Sequence, residues 1–392
     1  MTVDARAPLL LDANATEPVL DEARSALLDA LALTGNASST HAAGRRARRV
    51  LDDARAHVAA ALGGAPREVV FMSGASEGNR FLVDALVETA RRKHGATRPP
   101  RIASTRLEHP SLARALAARA ETGEIALTLL DVDLRGRVDG RAARDHDAVF
   151  VTAAHNETGI VPALDDVLAE IDDATLVCCD AAQAVARLAP LPARVDAVVC
   201  SGHKMGAPAG TGALLRRGRA LTLASPWAGG AQEGGHRPGT EALVLIAALG
   251  AAASVVERSR ARASALAPLR DAFETRVIAR IPSARVVGGD APRLPQTTAI
   301  CFHGVDGDAL RIETDLRGLA VGFGSACSAL SPEPSTALLA LGLDARAARS
   351  TVRVSLSHGA LDAVVVDNAA DRLIDVVHAI ERRARPPDVT DP

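Results

Sequence analysis

At 392 residues and 48% hydrophobic content, the chain is long enough for two or three domains and a substantial core. A formal net charge of -2 leaves no cationic excess for a nucleic-acid surface, and no run of 18 apolar residues offers a membrane span. With no apolar signal segment at its N-terminus the chain reads as cytoplasmic, and five cysteines without Cys-x-x-Cys spacing imply neither a disulfide framework nor a metal site.

In chain order, Leu9 to Asp12 reads as a short extended segment, and Pro18 opens a helix to Leu33 with apolar positions at Val19, Leu20, Ala23, Leu27 and Leu31. After a loop from Thr34 to His41, a helix is expected from Gly44 to Leu62. Its basic run Arg45 to Arg49 meets Asp52 and Asp53 at i,i+4, the pattern of a charged helix face. Glu68 to Met72 reads as a strand, followed by Ser73-Gly-Ala-Ser76 and a long helix, an order in which small residues let the backbone wrap an anion. Further strands are expected at Arg101 to Ser104, Ile125 to Asp131, Ala148 to Thr152, Thr175 to Cys179, Ala197 to Cys200 and Gly212 to Leu215, mostly separated by helical segments. That alternation predicts an α/β fold whose large domain has a mainly parallel, doubly wound sheet. From about Glu241 helices run to Arg280, and strand-like runs at Thr297 to Phe302, Ala320 to Val321 and Thr351 to Ser355 suggest a smaller α+β domain. The expected boundaries are 15–258 for the large domain and 1–14 with 259–392 for the small one.

Ligands of such sheets bind beyond the carboxyl ends of the strands, where this sequence sets Ser73 to Ser76, His109, Asn156, Asp180 and Lys204. Only two lysines, Lys93 and Lys204, stand among 45 Lys plus Arg. Lys93 lies in a basic helix end where arginine would serve equally well, but Lys204 follows a buried strand. A desolvated amine can condense with an aldehyde, and a guanidinium cannot. Pyridoxal 5'-phosphate needs such a lysine, an acid for its pyridine nitrogen, a stacking group and an anion pocket. Asp180, ending the run Leu176-Val-Cys-Cys-Asp180, supplies the acid, and Gln183 one turn on could reach the phenolic oxygen.

Leu10-Leu-Asp-Ala-Asn-Ala-Thr16, Asn36-Ala-Ser-Ser-Thr-His41, Phe71-Met-Ser-Gly-Ala-Ser-Glu77, Glu108-His109, Asn156-Glu-Thr-Gly159, Asp180-Ala-Ala-Gln183, Ser201-Gly-His-Lys204, Arg237-Pro-Gly-Thr240, Gly324-Ser-Ala-Cys-Ser328 and Arg353-Val-Ser-Leu356 resemble, in order and spacing, the cysteine desulfurases of the class V aminotransferases. The resemblance covers nearly the whole chain. It implies that His109 stacks on the cofactor ring, that Ala75, Ser76, Ser201 and His203 hold the phosphate, and that Asn156 lies against the cofactor oxygen and the substrate. Thr240 would reach the phosphate across a homodimer interface, and Arg353 with Asn36 would take the carboxylate of L-cysteine, for which a guanidinium fork is apt. The chain departs from common family residues at Ser76, Arg80, His155 and Pro238, none of which removes a group the chemistry requires, and at Ala209, Ser357 and His358, which bear on substrate detail and acceptor choice rather than on the reaction class.

Cys327 lies between glycines and prolines in Val321-Gly-Phe-Gly-Ser-Ala-Cys-Ser-Ala-Leu-Ser-Pro-Glu-Pro334, a loop suited to presenting a thiol. The expected reaction has Lys204 shuttle the substrate α-proton and Cys327 attack the substrate sulfur, with His109 as an acid-base partner. Alanine and a Cys327 persulfide result. A selenocysteine lyase, aminotransferase or epimerase on the same scaffold would need no nucleophile at Cys327, and a non-catalytic sulfur relay would have a degraded cofactor site. The last helix is expected to end near Ile380 to Arg385, leaving Pro386 to Pro392 too short and proline-rich for a helical docking face. The sulfur-acceptor protein is therefore expected to dock on the cysteine loop.

Overall fold

The computed structural model describes residues 8–95, 98–218, 221–223, 225, 227–324, 333–357, 359 and 362–384. Strand β1 (Leu9–Leu10) leads through an extended arm to helices α1 (Asp21–Leu31) and α2 (Ala42–Leu62). Then come β2 (Val69–Met72), α3 (Ala75–His94), β3 (Arg101–Thr105), α4 (Pro110–Glu121) and β4 (Ala126–Leu130). β5 (Ala148–Phe150), α5 (Leu164–Leu168), β6 (Leu176–Asp180), β7 (Ala197–Ser201) and β8 (Gly212–Arg216) complete a seven-stranded sheet of order β2-β8-β7-β6-β5-β3-β4.

β8 alone runs antiparallel to its neighbours β2 and β7, so β2, β3, β5, β6 and β7 all point the same way. β5 and β7 are buried throughout, which is why their sequences are unbroken apolar runs rather than alternating ones. One face of the sheet packs Phe150 and Val199 against Phe81, Leu82 and Leu86 of α3 and Leu112 and Leu116 of α4. The other face buries Val198 and Leu215 with Leu51 and Val58 of α2 and a long apolar helix, α6 (Leu243–Ser254).

Beyond α6 lie α7 (Val256–Ser264), α8 (Ala267–Arg280), β9 (Ala284–Val286), β10 (Thr297–Phe302) and α9 (Gly307–Leu316). β11 (Leu319–Ala320), β12 (Gly322–Phe323), α10 (Thr336–Ala340), α11 (Ala345–Arg349), β13 (Thr351–Ser355) and α12 (Ala363–Ala384) follow. The second sheet is antiparallel, in the order β12-β13-β10-β9. α12 covers it with Val366, Ala369, Ala370, Leu373, Ile374 and Val377, an i,i+3/i+4 stripe that matches its amphipathic sequence. The N-terminal arm joins both sheets. β1 pairs with β11, Asn14 N donates to Ser355 Oγ at 2.9 Å, and Glu17 N donates to the carbonyl of His203 at 2.9 Å.

The structure corrects several local expectations. α1 starts at Asp21 rather than Pro18 because Leu20 stays extended and gives its N–H to Gly206 O at 2.9 Å. The strand expected at Ala320 to Val321 is two short strands, with Val321 between them. β9 was not expected, and turns rather than an α-helix join β6 to β7. The Arg48–Asp52 pair forms as expected, at 3.0 Å. Among the described residues no helix is long and apolar enough to cross a membrane.

Candidate active site

Five of the six like-pointing strands, β4 being the sixth, deliver polar residues to one cavity of about 330 Å³. β2 feeds Ser73, Gly74, Ala75 and Ser76 into it, β3 leads to His109, β5 to Thr152 and Asn156, β6 ends at Asp180, and β7 leads through Ser201 to His203 and Lys204. Gln183 and Arg353 also line it. Ala75, Ser76, His109, Asn156, Asp180, Gln183, Ser201, His203, Lys204 and Arg353, all singled out from sequence, are thus brought together. Asn36 and Thr240 are exposed and do not line the cavity of their own chain. Cys327 lies outside the described residues, as do His358 and the tail from 385.

Lys204 Nζ donates to Ala15 O at 2.6 Å and to Asn14 O. Asp180, buried, accepts from Asn79 Nδ2 at 2.7 Å and from Ala182 N at 2.9 Å, which fixes both carboxylate oxygens. Gln183 donates from Nε2 to Asn14 O at 2.9 Å and accepts at Oε1 from Arg187 at 2.8 Å. Arg187 is itself buried against Glu17 at 3.3 Å. A guanidinium has no acceptor atom, so it dictates which end of the Gln183 amide faces it.

No side chain caps α3, so its first N–H groups are turned to the cavity through Gly74, Ala75 and Ser76. Glu77 fastens this end: its carboxylate meets Arg237 at 2.7 Å and accepts from Ser73 N. Burial works against ionisation of Glu77, but these partners hold its carboxyl below the usual range. Burial, then Lys204 and Arg187, pull His203 down to about 4, leaving a neutral ring with Nδ1 3.1 Å from Thr16 Oγ1. Burial pushes Glu108, beside the site, up to about 8, with Asp180 adding to the shift and hydrogen bonds from Thr105 and Thr152 opposing it.

Arg353 is buried and reaches Asp12 Oδ1 at 2.5 Å, Asn156 O at 3.2 Å and Gly324 O at 3.3 Å. Its Nε has no hydrogen-bond partner among the described residues. A Cβ at Gly322, opposite Arg353 in the β12–β13 register, would stand 2.5 Å from the guanidinium, so any other residue there would push Arg353 out of its present position. Gly159 has the same necessity: at φ +76 its Cβ would meet Thr297 at 2.9 Å, and the turn carrying Asn156 depends on it.

These residues fit pyridoxal phosphate. An uncapped helix N-terminus suits the phosphate, a buried carboxylate suits the pyridinium, a lysine suits the aldehyde, and the unpartnered Nε of Arg353 leaves donor capacity for a carboxylate. Sequence reasoning passed over Asn14, Thr152, Asn79 and Arg187. Asn14 stood inside a quoted motif without a role, and nothing in the sequence signalled the other three.

Residues 9–362 match the family model described as aminotransferase class-V. An IscS-like cysteine desulfurase of Mycobacterium tuberculosis is 34% identical over 388 residues, covering 96% of each chain. A cysteine desulfurase of Gluconacetobacter diazotrophicus is 34% identical over 392 residues, covering 96% of this chain and 94% of its own. Among solved structures, a NifS-like protein aligns with a TM-score of 0.83 at 25% identity, covering 95% of this chain and all of its own. SspA in complex with cysteine aligns with a TM-score of 0.73 at 27% identity, covering 88% and 98%. Matched over that span, the chain belongs to the aminotransferase class-V family.

Proposed function

We propose that this protein is a pyridoxal-phosphate-dependent cysteine desulfurase, converting L-cysteine to L-alanine and placing the sulfur on Cys327 as a persulfide for delivery to an acceptor protein. The observation that carries the reading is the meeting of Lys204, Asp180 and the uncapped start of α3 in one cavity, in a chain a third identical to cysteine desulfurases.

When bound, the cofactor supplies an electron sink for the substrate α-carbon. Lys204 would hold its aldehyde, and its amine is the group placed to carry the substrate α-proton. Asp180 would keep the pyridine nitrogen protonated, Ala75, Ser76, Ser201 and His203 would take the phosphate, His109 would cover the ring, and Gln183 and Asn156 would meet the phenolic oxygen. Arg353 and Asn36 take the substrate carboxylate. The Cys327 thiolate then forms an S–S bond to the substrate sulfur while the C–S bond breaks and the carbon takes a proton, giving alanine.

Two copies complete the unit, Thr240 of each serving the other's phosphate, and the exposure of Thr240 in its own chain supports this. The division into 15–258 and 1–14 with 259–392 is supported by the separate core under α12. The acceptor docks at the cysteine loop, and the protein works in the cytoplasm.

Mass analysis of Cys327 after incubation with L-cysteine tests the reading: one added sulfur should appear together with alanine. Cys327→Ala should bind cofactor and substrate yet lose alanine production. Retained production in that variant would refute the assignment.

A further inference from the structure

Helix α4 begins at a histidine ring committed on one side. Ser111 N donates to His109 Nδ1 at 3.1 Å, and Ser111 Oγ lies 2.8 Å from the same nitrogen. A backbone N–H cannot reverse, so Nδ1 is the acceptor and the hydrogen of the neutral ring sits on Nε2. Asn79 steers the Ser111 hydroxyl toward the ring by donating from Nδ2 to Ser111 Oγ at 3.1 Å. The same Nδ2 donates to Asp180 Oδ2 at 2.7 Å, and a flipped amide would set oxygen against the carboxylate. Asn79 Oδ1 is left buried without a hydrogen-bond partner among the described residues, a cost that native structures seldom carry without a reason.

We infer that Asn79 and Ser111 are positioning residues that hold His109 as a neutral, Nε2-protonated ring and tie that state to the fixing of Asp180. The consequence for the reaction rests on the proposed function: a ring lining the cavity with Nδ1 already accepting a hydrogen bond has no free lone pair there to serve as a base toward a bound substrate. The base at the substrate is then Lys204 alone, and of the acid-base role expected for His109 only the acid half is left to it. Burial first, with Lys204 reinforcing and Asp180 opposing, also disfavours ionisation of His109.

Two-bond proton–nitrogen spectra of the histidine-labelled holoenzyme test this, with His109→Gln identifying the ring. The wild type at pH 7 should show unprotonated Nδ1 and protonated Nε2. Ser111→Ala should raise the other tautomer about fivefold, the equivalent of one lost hydrogen bond. Asn79→Ala should do the same, and the double variant should do no more than either single one, because the two act in series. A charged or Nδ1-protonated His109 in the wild type would overturn the inference, as would a ring unmoved by Asn79→Ala. Visible absorption of the same samples reports the cofactor separately: a colourless protein with the expected ring would sink the functional reading and leave this one standing.

Discussion

Replacing Arg187 by methionine measures the ion pair beneath Gln183. The side chains of Arg187 and Glu17 are 0% and 2% exposed, 3.3 Å apart. Arg187 also donates to Gln183 Oε1 at 2.8 Å, Gln183 O at 3.2 Å and Ala13 O at 3.4 Å. Methionine fills similar volume but strands the Glu17 carboxylate in the interior, for which a loss of about 3–5 kcal/mol is expected. That is a large share of the ~5–15 kcal/mol by which a folded chain is stable. Glu17→Gln with Arg187→Met removes both charges and should recover at least about half of the loss, since well-packed neutral pairs often replace buried ion pairs at little cost. Urea unfolding of the four proteins of this cycle, with cofactor bound, supplies the coupling energy directly. A single Arg187→Met loss below about 1 kcal/mol, or a double variant worse than the sum of the singles, would refute the argument.

Glu108, raised to about 8 by burial, keeps its proton in the fold, whereas the unfolded chain releases it near 4.5. Its stabilisation is complete below the unfolded value and is lost as pH rises to about 8, at ~1.4 kcal/mol per pH unit. Glu108→Gln, which mimics the neutral acid, should flatten melting temperature against pH between 5 and 8, and an unchanged slope would refute it. His155, lowered to about 3 by burial and then by Arg353 and His109, has the opposite sign: its stabilisation is present above 6.5 and lost as pH falls toward 3. His155→Asn keeps an acceptor for Thr158 N and should remove that acid-side loss in the same titration. Lys204→Ala should lose the yellow colour and the reducible link to the cofactor, and a colourless wild type that cannot be reconstituted would contradict the site. Mixing Lys204→Ala and Thr240→Ala chains tests the shared dimer site: a mixed dimer keeps both Lys204 and Thr240 at one of its two sites, so activity should rise above the average of the two parents, and no rise would refute the sharing.

The large sheet was legible because β5, β6 and β7 are short buried apolar runs rich in β-branched residues and cysteine, too short for helices, and β6 and β7 end in the polar residues Asp180 and Ser201. The cavity was legible for the same reason: Asp180 and Lys204 break apolar runs at the ends where ligands bind. What stayed hidden depends on contacts distant in sequence. Asn79 looks like an ordinary helix residue until α3 is laid beside β6, 101 residues further on. Arg187 looks like any of the many arginines until Glu17, 170 residues away, is folded under it. β9 was missed because three residues of middling pattern gain strand character only from β10 beside them. Leu20 has good helical periodicity, yet a tertiary bond to Gly206 outweighs it.

The N-terminal arm has a consequence for how the molecule is made. Asp12, Asn14 and Glu17 leave the ribosome well ahead of their partners Arg353, Ser355 and Ser357, which come 340 or 341 positions later. The large sheet can assemble as its strands emerge, whereas the contacts of the arm cannot close until β13 has been synthesised. A nascent chain stalled anywhere before β13 would therefore have a formed sheet and no Arg353 in its cavity, so competence to hold the substrate carboxylate should appear only once β13 has been made.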